Sequence, residues 1–242
     1  MIRFDILTLF PEMIEGIINS SILKRARENK LLEINIIDFR EFSTNKHHTV
    51  DDYAYGGGAG MLISVEPIHK ALVTIPGYEQ ATKILTTPSG KVFNQQMAID
   101  LSKEEHIIIV CGHYEGIDNR ILNYIDEEIS IGDYVLTGGE IPALTIVDAV
   151  SRLVKGVISD DSAVQESFMS GLLEYPQYTR PASYDGHDVP EILLSGHHAN
   201  IERWKHFEAI KKTYKMRPEL LDKIALTAED YAYIEELKKH EN

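Results

Sequence analysis

The chain has 242 residues, with 38 Asp+Glu against 24 Lys+Arg and a formal net charge of −14. Hydrophobic residues at 43% and charged residues at 26% are globular proportions that exclude disordered, collagenous and disulfide-scaffold classes. The acidic balance, taken as an average, argues against a nucleic-acid partner. A single cysteine, Cys111, forms no internal bridge and fits a reducing compartment. The longest uncharged stretch, Tyr53–Val65, spans 13 residues, short of the roughly 20 apolar residues that cross a membrane. Arg3 and Asp5 interrupt the first apolar run, so no signal-peptide core is expected, and a soluble, cytoplasmic protein is.

In chain order, Ile2–Leu9, Glu33–Phe39, Lys83–Thr87, His106–Val110 and Glu128–Ile131 read as strands. Most are short, continuous and rich in Ile, Val or Leu, as in a parallel sheet covered on both faces. Between them Glu12–Asn29, Val65–Thr74, Asn94–Leu101 and Glu140–Leu153 read as helices, with Pro11, Pro67 and Pro142 near three of the starts. The alternation predicts an α/β domain with right-handed crossovers. Residues 155–187 lose this periodicity and read as a linker. After it, Asn200–Tyr214 and Ala228–Lys239 are amphipathic helix candidates, and no glycine follows residue 196.

Four segments depart from plain core-and-surface patterning. Tyr55-Gly56-Gly57-Gly58-Ala59-Gly60-Met61 permits close backbone approach, but Met61-Leu62 stands where a P-loop requires Gly-Lys-Ser/Thr. A flexible surface loop is the competing reading there. The strand Ile107–Val110 runs straight into Cys111-Gly112-His113-Tyr114-Glu115-Gly116, the arrangement of a ligand site at a strand's carboxyl end. Cys111 ends a buried run and reads as a small core residue before it reads as a nucleophile. Ile131–Pro142 contains a Gly138-Gly139 turn before a Pro-initiated helix, which leaves free backbone groups for a small ligand. In the linker, Glu166 and Arg180 are either solvated charges or parts of a loop ordered over a substrate. His47-His48 and His197-His198 lack metal-ligand spacing, and no metal site is expected.

Taken together, these segments resemble one family. Thr8-Leu9-Phe10-Pro11-Glu12-Met13, Val50-Asp51-Asp52, Tyr55-Gly56-Gly57-Gly58, Cys111-Gly112-His113-Tyr114-Glu115-Gly116, Ile131–Glu140, Tyr178-Thr179-Arg180-Pro181 and Leu194-Ser195-Gly196-His197-His198 occur in this order. The chain resembles the bacterial tRNA (guanine-N1)-methyltransferases of the TrmD type, in the SPOUT superfamily. The resemblance implies transfer of a methyl group from S-adenosyl-L-methionine to N1 of guanosine 37 of tRNA, beside the anticodon. It implies a parallel-sheet domain with a deep trefoil knot over residues 1–158, a linker bearing catalytic residues over 159–187, and a small all-α tRNA-binding domain over 188–242. A homodimer with shared active sites and the tRNA anticodon stem-loop are the implied partners, with no membrane.

By matching positions, the resemblance assigns the cofactor to Leu85, Thr86, Thr87, Pro88, Gly112, Tyr114, Glu115, Gly116, Ile131, Gly132, Tyr134, Leu136, Gly138, Gly139 and Pro142. It assigns substrate contacts to Asp51, Gly60, Arg180, Lys211, Lys212 and Lys215, and catalysis to Arg152 and Glu166. At the base position the family carries Asp before Ser-Phe, whereas this chain has Glu166 before Ser167-Phe168, with Asp160 and Asp161 as alternatives. For Arg152, the competing reading is a helix-end arginine pairing with Asp148. A ribose 2′-O-methyltransferase and a non-catalytic RNA-binding module are the competing functions.

The charge distribution accommodates an RNA partner. Residues 98–190 hold 5 basic and 17 acidic side chains, whereas residues 203–217 hold 6 basic and 1 acidic. Lys24, Arg25, Arg27 and Lys30 form a second basic group. Both are expected to meet tRNA phosphates.

Overall fold

The computed structural model describes residues 1–159 and 167–240. The chain divides into two compact units, Met1–Asp160 and Asp161–Asn242.

In the first unit the elements run β1 (Ile2–Thr8), α1 (Pro11–Ile18), α2 (Ser21–Glu28), β2 (Leu32–Asp38), β3 (Asp51–Asp52), β4 (Leu62–Ile63), α3 (Val65–Thr74), β5 (Thr82–Val92), α4 (Gln95–Leu101), β6 (His106–Cys111), β7 (Glu127–Ser130) and α5 (Glu140–Ser151). Five strands form a sheet in the order β2-β1-β6-β5-β7, and every neighbouring pair is parallel. Strand alternation divides the side chains between two cores. Phe4 and Ile6 of β1 join Ile107 and Ile109 of β6 beneath α1, α2, α4 and α5. Leu7 joins Ile108 and Val110 under Ile68, Ala71 and Leu72 of α3. The nearly continuous Ile/Val runs follow from this two-sided burial.

Two local features differ from the sequence expectation. The helix expected over Glu12–Asn29 is broken: Ser20 Oγ donates back to the Gly16 carbonyl at 2.6 Å, and Ser21 takes φ of +48°. Short polar side chains compete with the helix ladder in this way. The Gly-rich segment Tyr55–Met61 lies in the connection between β3 and β4, which pair antiparallel through Asp51–Ile63 and Asp52–Leu62. Two-residue strands carry too little periodicity to be read in advance.

In the middle of β1, Asp5 is 1% exposed. It accepts from Asn35 Nδ2 at 3.0 Å, pairs with Arg3 Nε at 2.8 Å and meets His106 Nε2 at 2.5 Å. These contacts tie β1 to both of its neighbours.

The second unit contains the short hairpin β8 (Ser183–Tyr184) and β9 (His187–Asp188), then α6 (Glu191–Leu194), α7 (His198–Met216) and α8 (Ala228–His240). Leu172, Ala209, Ile210, Leu221 and Ile234 form its core. A capping box starts α8: the Thr227 N–H donates to Asp230 Oδ2 at 2.8 Å, and the Asp230 N–H donates to Thr227 Oγ1 at 3.2 Å. No helix among the described residues is long and apolar enough to cross a membrane.

Burial pushes the Asp230 carboxyl up, but hydrogen bonds from the Thr227 backbone, His206 and the Thr227 hydroxyl outweigh it and hold the group below its ordinary value. A depressed carboxylate stabilises the fold above its unfolded pKa and loses that contribution as pH falls through the folded one. Asp230→Ala is therefore expected to cost about 1–2 kcal/mol at pH 7 in denaturant unfolding. The difference from wild type should shrink as pH drops below about 4.

Candidate functional site

The strands β5, β6 and β7 end on one side of the sheet, and the segments that leave them enclose a cavity of about 410 Å³. A ligand crevice at the carboxyl ends of parallel strands is expected of open α/β sheets. Each wall has a local cause in the sequence.

On the β5 wall, pairing with β7 proceeds from Ile84–Glu127 to Thr86–Ile129, then resumes at Lys91–Ile129 and Val92–Ser130. Residues 87–90 therefore leave the ladder, as Pro88 requires of a strand that cannot use its missing N–H. Gly90 allows the return, because a Cβ there would stand 2.5 Å from the Glu128 carbonyl carbon and the Ile129 nitrogen.

On the β6 wall, Tyr114 and Gly116 have φ of +57° and +134°. The turn presents the Gly116 carbonyl to the Ile63 N–H at 2.9 Å, while the Asp118 N–H donates to the Ile63 carbonyl at 2.8 Å. The Glu115 N–H donates to the Met61 carbonyl at 3.2 Å. Gly60 lies against Glu115, 2.3 Å from Glu115 Cγ to the position of a Cβ. The glycine-rich segment and the Gly112–Gly116 loop are thus one assembly.

The third wall is the β7–α5 connection. The Gly139 N–H donates to the Gly112 carbonyl at 2.8 Å, and the Thr86 hydroxyl donates to the Val110 carbonyl at 3.1 Å. A Cβ on Gly139 would stand 2.2 Å from Thr86 Oγ1, 2.7 Å from the Gly112 nitrogen and 2.8 Å from Cys111 Cα. Glu140, 1% exposed, begins α5, where the helix dipole favours its charge, and Oε1 accepts from the Thr8 hydroxyl at 2.7 Å. Thr8 Oγ1 accepts in turn from the Phe10 N–H at 2.9 Å, and the Phe10 ring lies 4.7 Å from that of His113. Among the described residues, His113 Nδ1 and Glu140 Oε2 are buried without a hydrogen-bond partner.

All fifteen residues assigned to the cofactor line this one cavity. His113, Val135 and Thr137 also line it, inside the loops Gly112–Gly116 and Ile131–Pro142 that the resemblance implies for the cofactor but not singled out there, whereas Ser89 and Ser130 line it from just outside those loops. His113 stands between two assigned neighbours, so its place in the loop was the available signal. Cys111 lies beneath the site, 1% exposed. Burial, with the nearby Glu140 charge, pushes its thiol well up, so it is a core residue rather than a nucleophile.

The remaining assigned residues lie elsewhere. Arg152 caps the carboxyl end of α5, its N–H donating to the Asp148 carbonyl at 3.2 Å, and it does not line the cavity. Asp51 lies in β3, paired with Ile63. Arg180 is exposed. Lys211 pairs with Glu208 at 3.0 Å, a contact that raises its pKa, while Lys212 and Lys215 are exposed on α7. Glu166, Asp160 and Asp161 lie outside the described residues.

Comparison with known proteins identifies a family. Residues 2–223 match the family model described as tRNA (Guanine-1)-methyltransferase TrmD. A tRNA (guanine-N(1)-)-methyltransferase of Dictyoglomus turgidum is 55% identical over 240 residues, 99% of this chain and 98% of its own length. Similarly named proteins of Moorella thermoacetica and Staphylococcus aureus are 51% and 50% identical, each over at least 98% of this chain and 97% of their own lengths.

The crowding at Gly139 has a measurable consequence. Gly139→Ala is expected to cost about 1–3 kcal/mol in denaturant unfolding, because two of the three close atoms belong to backbone. Gly16→Ala, on α1 with nothing within 4 Å, is expected to be neutral or stabilising by up to about 1 kcal/mol.

Proposed function

Because the chain belongs to the TrmD family of tRNA (guanine-1)-methyltransferases, we propose that it methylates N1 of guanosine 37 in tRNA, beside the anticodon, with S-adenosyl-L-methionine as donor. The observation that carries this reading is the gathering of all fifteen cofactor-assigned residues around one cavity. The cavity suits the donor. Gly138 and Gly139 bring bare backbone to its wall, and Leu85, Ile131 and Leu136 supply apolar cover for an adenine ring. The buried, unpartnered His113 Nδ1 leaves a polar group for a polar ligand.

When bound, S-adenosyl-L-methionine supplies an electrophilic methyl group, which guanine N1 receives as the thioether leaves. Guanine N1 carries a proton and is a poor nucleophile until that proton is removed. Glu166 is the proposed base and takes that proton on its carboxylate. It is one methylene longer than the family's Asp and keeps the carboxylate. Negative charge develops toward guanine O6, and the Arg152 guanidinium is proposed to stabilise it.

The position of Arg152 supports a homodimer with shared sites. Helix α5 has 12 residues and rises about 18 Å, which sets Arg152 farther from Gly139 than an arginine side chain reaches. A second subunit supplies a route by which such an arginine meets a donor in the cavity. Met13, Ile17 and Ile141 remain 41%, 50% and 49% exposed on α1 and α5, an apolar face suited to pairing. The knot over residues 1–158, the catalytic linker over 159–187, the helical tRNA-binding domain over 188–242 and a cytoplasmic location complete the proposal. Lys211, Lys212 and Lys215, with Asp51, Gly60 and Arg180, are its tRNA contacts.

Methylation of tRNA by variants tests the roles. Glu166→Gln is expected to lower kcat at least about 100-fold, and Arg152→Ala by about 10²–10³-fold, with donor affinity by calorimetry retained. A near-wild-type rate for Glu166→Gln would move the base elsewhere. Replacing Lys211, Lys212 and Lys215 with Ala should weaken tRNA binding and flatten its salt dependence without changing donor affinity.

A further inference from the structure

Behind one wall of the first unit's cavity lies a carboxylate that is only half satisfied. Glu140 is 1% exposed. Its Oε1 accepts from the Thr8 hydroxyl at 2.7 Å, whereas Oε2 is buried with no hydrogen-bond partner among the described residues. Gly138 lies against that oxygen and has no side chain to interpose. A Cβ there would stand 2.4 Å from Glu140 Oε2 and 2.7 Å from His113 Cδ2, and both Gly138 and His113 line the cavity.

A carboxylate taken out of water is costly unless positive charge answers it. The amino end of α5 answers in part, through the helix dipole. No lysine or arginine among the described residues lines the cavity to cancel the rest. Two other carboxylates, Glu115 and Glu128, border the same space, but Glu115 is exposed and Glu128 half-buried, so water screens them. The charge of Glu140 is screened least, and it favours a cation in the cavity over a neutral molecule of the same shape.

Resting on the donor reading above, we propose that Glu140 is a specificity-determining residue that makes the cavity prefer the sulfonium donor to its neutral thioether product. In methyl transfer the carbon–sulfur bond breaks with its electron pair left on sulfur, the bond from that carbon to guanine N1 forms, and the N1 proton passes to the base. Sulfur thereby loses its positive charge, the attraction to Glu140 ends, and the spent donor is held more weakly. The adenosine and amino-acid parts are common to both molecules and cancel in the comparison. A cavity of about 410 Å³ is on the order of 10 Å across, and at an effective dielectric near 20 a unit charge at that separation changes a binding constant by about tenfold.

Calorimetry of the full chain at about pH 8, above the ordinary titration of histidine, tests this with three probes. They are S-adenosyl-L-methionine, S-adenosyl-L-homocysteine, and sinefungin, in which an amine-bearing carbon replaces the methylsulfonium and keeps a positive charge. Wild-type protein is expected to bind the two cationic probes about tenfold more tightly than the homocysteine product. Glu140→Gln keeps an oxygen for the Thr8 hydroxyl and removes the charge. It should bring all three affinities within about threefold by weakening the cations and sparing the product, whereas a merely structural role would weaken all three alike. In tRNA methylation, product inhibition measured against the KM for donor should strengthen about tenfold in the same variant. Equal wild-type affinities for donor and product would overturn the proposal even if the variant did not fold. An unchanged ratio in Glu140→Gln, or an equal loss for all three probes, would do so as well. If donor and product bind equally, the role of Glu140 falls and the proposed function stands; if neither binds, the donor reading falls with it.

Discussion

The site rests on a contact that excludes a side chain. Where α5 begins, Gly139 passes so close to Thr86, Cys111 and Gly112 that no Cβ fits, and its N–H closes onto the Gly112 carbonyl at 2.8 Å. That contact joins the ends of β5 and β6 to the start of α5 and so sets the shape of the cavity between them. Glu140, the next residue, sends its buried carboxylate back to Thr8 at the end of β1. One glycine and one carboxylate thereby fasten three strand ends to a helix N-terminus. Interiors this tightly packed resist small rearrangements, which gives a small ligand a preformed rather than an adaptable wall.

Much of this was legible in the sequence, for physical reasons particular to each element. Continuous runs such as Ile107–Val110 announce strands buried on both faces, and they form the central strand β6 of a parallel sheet. The clustered glycines at 112, 116, 138 and 139 mark strand ends where backbone approaches backbone. What the sequence hid were effects set by distant partners. Nothing local reveals that Gly60 lies against Glu115, or that Ser20 bonds back to Gly16 and breaks the first helix. Strand order also escapes periodicity, because β5 lies between β6 and β7 through pairing that chain order does not specify. The residue types of the candidate base and of Arg152 carry no spacing signal. Their roles rest on the family resemblance, and Arg152 stands at the end of α5 away from the cavity.

The acidic average misdirects and its distribution informs. The net of −14 combines a strongly acidic stretch over residues 98–190 with a basic helix, and on that helix pairing matters as much as count. Arg203, Lys205 and Lys211 are engaged by Glu229, Glu202 and Glu208, whereas Lys212 and Lys215 face outward. Net charge therefore bounds colloidal behaviour, while the exposed subset of cations governs attraction to a polyanion.

The most direct measurement is to map the modified nucleotide after incubating the protein with bulk tRNA and methyl-labelled S-adenosyl-L-methionine. The expected result is label in 1-methylguanosine at the nucleotide immediately 3′ of the anticodon. Label on a ribose 2′ oxygen, label on another base position, or donor binding without transfer would contradict it.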